Sequence, residues 1–106
     1  MRLLKKHIEY EQTVCDVFGI THDQIRSKER KDIICFARYV VFKYLYSRDY
    51  TLMAIAEIFN KDHTTIISGL RQYDILKNNN AYFKGALEEI NYVTGRLQQR
   101  MDSTGV

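Results

Sequence analysis

Residues 51–71, TLMAIAEIFNKDHTTIISGLR, contain two apolar helical patterns separated by three polar residues, Asn60, Lys61 and Asp62. Thr51 is suited to cap the first pattern, in which Leu52, Ile55, Ala56 and Phe59 recur on one face. Asn60 tolerates a left-handed turn position, and Asp62 is a strong N-cap for a second helix running from His63 toward Lys77. Ile66, Ile67, Leu70 and Tyr73 are expected to face inward from that helix. Two helices joined by about three residues form a helix-turn-helix, here spanning about residues 51–77. The first turn of the second helix is unusual in carrying Asp62, His63, Thr64 and Thr65 before the pattern turns apolar.

Upstream, Leu4, Ile8, Val14, Cys15 and Phe18 recur at helical spacing and predict an amphipathic helix from Leu3 to Phe18. Gly19 stops it, and Thr21 with Gln24 three residues on is a capping-box pattern that starts a short second helix. Residues 26–32, RSKERKD, hold no apolar residue and read as an exposed basic loop. The next stretch carries Ile33, Ile34, Ala37, Val40, Val41, Tyr44 and Leu45 over much of a helix circumference, so it should be the most buried helix. Its neighbouring aromatics Phe36, Tyr39, Phe42 and Tyr46 are read as core rather than as base-stacking platforms. Downstream, Asn80 should cap a last helix in which Phe83, Leu87, Ile90, Val93 and Leu97 keep helical spacing up to Met101, with the remaining residues frayed.

The 106 residues suffice for one core and not for two, so a single all-α domain over 1–106 is expected. Pro is absent and Gly occurs only five times, which removes the turn punctuation of an all-β chain. No apolar run reaches the roughly 20 residues of a membrane span, and the N-terminus turns charged too soon for a signal peptide, which points to the cytosol. Cys15 and Cys35 lack metal or redox spacing and read as reduced core thiols. His7, His22 and His63 are too scattered for a metal site, and no cofactor is expected. A net charge of +3 is a weak hint of a polyanionic partner.

The polar first turn has a chemistry of its own. In a helix-turn-helix the second helix projects its N-terminal residues into the DNA major groove. Asp62 can accept from a cytosine amino group, His63 can offer its ring to a thymine methyl, and Thr64 and Thr65 can bond bases or phosphates. One turn on, Ser68, Arg71 and Gln72 lie near the same side, with Arg71 placed for the backbone. A purely structural reading also exists, in which Asp62 is only a cap and His63 only a surface imidazole.

The run TLMAIAEIFNKDHTTIISGLR resembles the signature helix-turn-helix of the C-terminal DNA-binding domain of the bacterial replication initiator family, DnaA. Upstream, FGITHDQIRSKERKDIICFARYVV is similar to that family's short helix, basic loop of the form S-K-x-R and long central helix. The resemblance spans roughly Ile8 to Leu97, and its D-H-T-T core is far more specific than a generic helix-turn-helix match. Ala37 to Tyr39, Met53 and the short turn Asn60 to Asp62 depart from the usual family residues.

The resemblance implies a Trp-repressor-like helical fold and sequence-specific double-stranded DNA binding at an A·T-rich site. Asp62, His63, Thr64 and Thr65 would enter the major groove, with Ser68 and Arg71 beside them. Arg30 would insert into the adjacent minor groove, flanked by Lys28 and Lys31. Arg38 would hold the phosphate backbone, and Thr51, Leu52 and Lys61 would complete the DNA-binding set. The family carries an ATPase module before this domain, but no phosphate-binding G-x-x-x-x-G-K-[ST] loop occurs in this sequence, so no enzyme activity is expected. Double-stranded DNA is the expected partner, with replication or transcription proteins beside it, and neither a membrane nor a small-molecule substrate. The competing reading is an adaptor that docks on such proteins with little DNA affinity. A hydrolase built on Asp62, His63 and Thr64 is disfavoured because neighbouring side chains in one helical turn diverge.

Overall fold

Among the described residues there are six helices: α1 (Lys5–Phe18), α2 (His22–Arg26), α3 (Asp32–Ser47), α4 (Leu52–Phe59), α5 (His63–Asn79) and α6 (Ala81–Thr104). The computed structural model describes the backbone of residues 3–104 and the side chains of residues 3–95, and no strand occurs among them. The fold is all-α, as the absence of turn punctuation predicts.

The caps read from sequence shape the connections. Gly19 ends α1 at φ 70°, where a residue with a Cβ is strained. Thr21 Oγ1 accepts from the Gln24 amide at 3.1 Å while the Gln24 side chain accepts from the Thr21 amide at 2.9 Å, the reciprocal cap that opens α2. Thr51 Oγ1 accepts from the Ala54 amide at 3.0 Å to open α4, and Asn80 Oδ1 accepts from the Phe83 amide at 2.9 Å to open α6. Asp49, in the turn after α3, takes a positive φ of 68° that its sequence context does not announce.

α3 is the central helix, packed against α1, α2, α4 and α5. Ile34, Ala37, Val40, Val41, Phe42 and Leu45 are buried along it, each large side chain contributing about 1.5–3 kcal/mol by leaving water. Of the aromatics expected in the core, Phe42 is buried, Phe36, Tyr39 and Tyr44 are half-buried, and Tyr46 is exposed. Both cysteines are free, Cys15 buried and Cys35 half-buried.

α1 departs from its expected pattern. It starts at Lys5 rather than Leu3, and Leu4 and Ile8, assigned to the inner stripe, are 57% and 47% exposed. His7 and Glu11 are buried in their place, in line with Val14, Cys15 and Phe18. Their polar groups have partners, which is what makes burial tolerable. His7 Nδ1 lies 2.8 Å from the Tyr44 hydroxyl, and the Glu11 carboxylate pairs with Arg26 and His22.

Three smaller corrections concern loops and ends. Arg26 closes α2 and Asp32 opens α3, so the basic loop is residues 27–31. In α5 only Ile66 and Gly69 are buried, while Ile67, Leu70 and Tyr73 are half-buried. The backbone of α6 runs to Thr104, beyond the expected end at Met101, whereas the expected inward positions Leu97 and Met101 lie outside the described side chains. Residues 105–106, assigned to the frayed end, lie outside the described residues.

Gly69 sets how closely α5 approaches α3. A Cβ there would meet Phe42 Cδ2 at 2.7 Å and Tyr39 Cδ1 at 3.1 Å. Phe42 cannot swing away, because its ring already stands edge-on to Phe59 with centroids 4.9 Å apart at 83°. Replacing Gly69 with Ala sets a helix-propensity gain of up to about 1 kcal/mol against an overpacking cost of about 1–3 kcal/mol. The expected net loss lowers the midpoint of thermal unfolding by about 4–8 °C per kcal/mol, measurable by circular dichroism.

Candidate nucleic-acid interface

α4 and α5 are joined by a turn that fixes where the tip of α5 points. Asn60 adopts φ 52°, and the Lys61 amide donates to the Ala56 carbonyl at 2.9 Å, a left-handed C-terminal cap that redirects the chain. Ile55 and Phe59 anchor α4 in the core, and Ile66 anchors α5, all at 1% exposure or less. The residues before Ile66 are thereby held outside: Asp62, His63, Thr64 and Thr65 are exposed, as are Ser68 and Arg71. Asp62 occupies the N-cap position, but its carboxylate makes no capping hydrogen bond. The positive end of the α5 dipole and its first amides therefore face outward without an internal acceptor from that side chain.

The basic loop is held from below by Arg38. Its Nε donates to the Ile25 carbonyl at 2.7 Å, Nη1 to the Glu29 carbonyl at 2.6 Å, and Nη2 to the Ser27 and Gln24 carbonyls, the latter at 3.3 Å. Ser27 Oγ adds a bond to the Gln24 carbonyl at 2.6 Å and accepts from the Glu29 amide at 3.2 Å. With the loop backbone so tied, Lys28, Arg30 and Lys31 are exposed. This placement does not suit the phosphate contact expected of Arg38. The residue is 6% exposed and its donors are taken by carbonyls of α2 and the loop, because an arginine on the inner face of α3 must satisfy its fork before it can be buried.

Lys61 links the two elements, its Nζ donating to the Ser27 carbonyl at 3.0 Å. Burial lowers the pKa of this ammonium, and the charges of Arg38, Lys28 and Arg30 lower it further. Cations crowded in this way favour an anion that relieves their mutual repulsion. Between loop and helix lies a groove of about 780 Å³, with Lys28 and Arg30 on one flank, Thr64, Thr65, Ser68 and Gln72 on the other, and Lys61 shared. Cys35, Tyr39, Phe42 and Gly69 also line it.

The expected site residues fall into three groups. Lys28, Arg30, Arg38, Lys61, Thr64, Thr65 and Ser68 meet at this groove. Thr51, Asp62 and His63 line a neighbouring depression on the other side of Lys61, together with Met53 and Glu57. Lys31, Leu52 and Arg71 border neither; Lys31 and Arg71 are exposed, and Leu52 is packed partly against the core. Met53, at 68% exposure, and Tyr39 in the groove wall were not read as site residues. An exposed methionine in the first turn of α4 leaves no periodicity signal, and Tyr39 reads as core by pattern.

Comparison with known proteins agrees with a helix-turn-helix fold. Residues 10–72 match the family described as bacterial DnaA protein helix-turn-helix. The chain is also similar to the chromosomal replication initiator protein DnaA of Pseudothermotoga lettingae, with 28% identity over 91 residues that cover 80% of this chain and 20% of that protein. It thus spans about a fifth of the length of the curated relative it matches.

Proposed function

The chain belongs to the bacterial DnaA helix-turn-helix family, and on that premise we propose that it binds double-stranded DNA sequence-specifically at an A·T-rich site. Membership of the family implies DNA binding. The finer reading places the tip of α5 in the major groove and Arg30 in the neighbouring minor groove. One observation carries it: the exposed polar side chains Thr64, Thr65 and Ser68 and the cations Lys28, Arg30 and Lys61 line the same concave surface. A duplex seated there presents base edges to the helix and a narrow, electronegative minor groove to the arginine.

The division of labour follows from chemistry. His63, Thr64 and Thr65 read base edges; Asp62 accepts from a base amino group; Lys28, Lys31, Ser68 and Arg71 hold phosphates and register. Arg38 acts through the loop it supports. No ATP-dependent step is assigned to these residues, and the biological role is DNA recognition in replication initiation or its control. Among the described residues no helix is long and apolar enough to cross a membrane.

Fluorescence anisotropy with an A·T-rich duplex drawn from a random-pool selection, compared with a scrambled duplex, tests the proposal. His63→Ala and Thr64→Ala each narrow the preference at one base pair by about 1–3 kcal/mol, roughly 5- to 150-fold. Lys31→Ala instead weakens all duplexes alike and reduces the salt slope by about one unit. An unchanged ranking of duplexes in the His63 and Thr64 variants rules out α5 as the reading helix. Absence of binding even at tens of micromolar, where non-specific contacts ordinarily register, leaves the adaptor reading in its place.

A further inference from the structure

α3 presents a second face to a different groove. Cys35, Tyr39 and Phe42 line the groove beside α5, whereas Val40, Lys43, Tyr44 and Ser47 line a groove of about 580 Å³ among α1, α3, α6 and the later part of α5. At helical spacing these two sets point roughly 120° apart, so a duplex held at the first leaves the second open.

The second groove is cationic at its rim and aromatic within. Among the described residues, Lys6, Lys43 and Arg48 line it with one carboxylate, Glu9. Tyr10 and Tyr44 stack with ring centroids 3.7 Å apart at 10°, and Tyr73 also lines the groove. Two of the cations are braced on these rings: the Arg48 guanidinium lies 4.6 Å from the Tyr44 centroid and the Lys43 ammonium 5.7 Å from that of Tyr73. Braced charges lose less conformational freedom when a ligand arrives. The positive field is felt inside the bundle as well. The pKa of His7, which bonds the Tyr44 hydroxyl, is lowered first by burial and then by Lys6 and Arg48.

We propose that this groove docks an acidic linear segment of a partner protein, in which carboxylates flank an aromatic or aliphatic anchor. Charge complementarity selects the carboxylates, which meet Lys6, Lys43 and Arg48 at the rim. The parts of Tyr10, Tyr44 and Tyr73 that line the groove take the apolar anchor, as rigid aromatic surface does at peptide-binding sites. A duplex backbone suits this face poorly: it needs an extended row of cations, and among the described residues three cations line this one groove.

The test uses the full chain and a fluorescein-labelled synthetic peptide of Asp and Glu residues interrupted by single Leu and Phe residues. Saturable binding is expected, with amide shifts in nuclear magnetic resonance spectra centred on Lys6, Lys43, Tyr44 and Arg48. The double substitution Lys43→Glu, Arg48→Glu is expected to weaken the peptide about tenfold or more while leaving duplex binding unchanged. Lys43→Gln, Arg48→Gln serves as the milder pair if charge reversal disturbs folding. Shifts centred on Lys28, Arg30 and Thr64, peptide affinity indifferent to both pairs, or absence of saturable binding each overturn the proposal. A short duplex that shifts the Lys43 and Arg48 signals does so too, by assigning the face to nucleic acid.

Discussion

Replacing Arg38 with Ala lowers stability by about 2–4 kcal/mol and weakens binding to every duplex, specific or not, because it strips the carbonyls of Ile25, Glu29, Gln24 and Ser27 of their common donor. Those carbonyls belong to the end of α2 and the basic loop, which then lose the geometry that aims Lys28 and Arg30. Arg38→Lys restores little, since one ammonium cannot reproduce a planar fork that serves four oxygens. Urea denaturation together with anisotropy at several salt concentrations checks this. A phosphate-holding arginine would leave stability unchanged and remove about one unit of salt slope. A loop-supporting arginine lowers stability and removes more slope than its own charge accounts for.

The second large effect is expected at Glu11. Its side chain is 2% exposed and accepts from Arg26 Nη1 at 2.6 Å while pairing with His22. The network extends further: the Arg26 guanidinium sits 4.8 Å from the Phe59 ring centroid, and His22 Nε2 lies 2.6 Å from Gln12 Oε1. One carboxylate thus joins α1 to α2 and, through Arg26, to the end of α4. Removing one partner of a buried pair costs about 3–5 kcal/mol when the other stays buried. Here His22 and Arg26 are 37% and 34% exposed and can turn toward water, so about 2–3 kcal/mol is expected for Glu11→Ala. Glu11→Gln keeps an acceptor and loses less. A Glu11→Gln midpoint equal to that of the unsubstituted protein in thermal unfolding would show that the charge contributes nothing.

These two residues also mark where the sequence stops being legible. Gly19, Thr21, Thr51, Asn60 and Asn80 announce their turns because caps are local, governed by neighbours within three or four residues. A carboxylate in α1 reads as a solvent face, and only partners 11 and 15 residues away make Glu11 an interior group. Arg38 reads as a contact residue by its match to the family, while its burial depends on how the loop folds over it. For the interface, the polar tip of α5 was legible from Asp62 to Thr65, and its juxtaposition with Arg30 was reachable only through resemblance. Residues so far apart in sequence carry no shared periodicity.

The hydrogen bond from Lys61 to the Ser27 carbonyl carries a geometric consequence. It ties the turn that aims α5 to the segment that bears Arg30, and so favours one width of the gap between them, like a caliper set to a mark. With a duplex seated as proposed, a favoured width measures distance along the double helix. Inserting one base pair between the two determinants of a target would therefore be rejected as firmly as changing a letter within either of them.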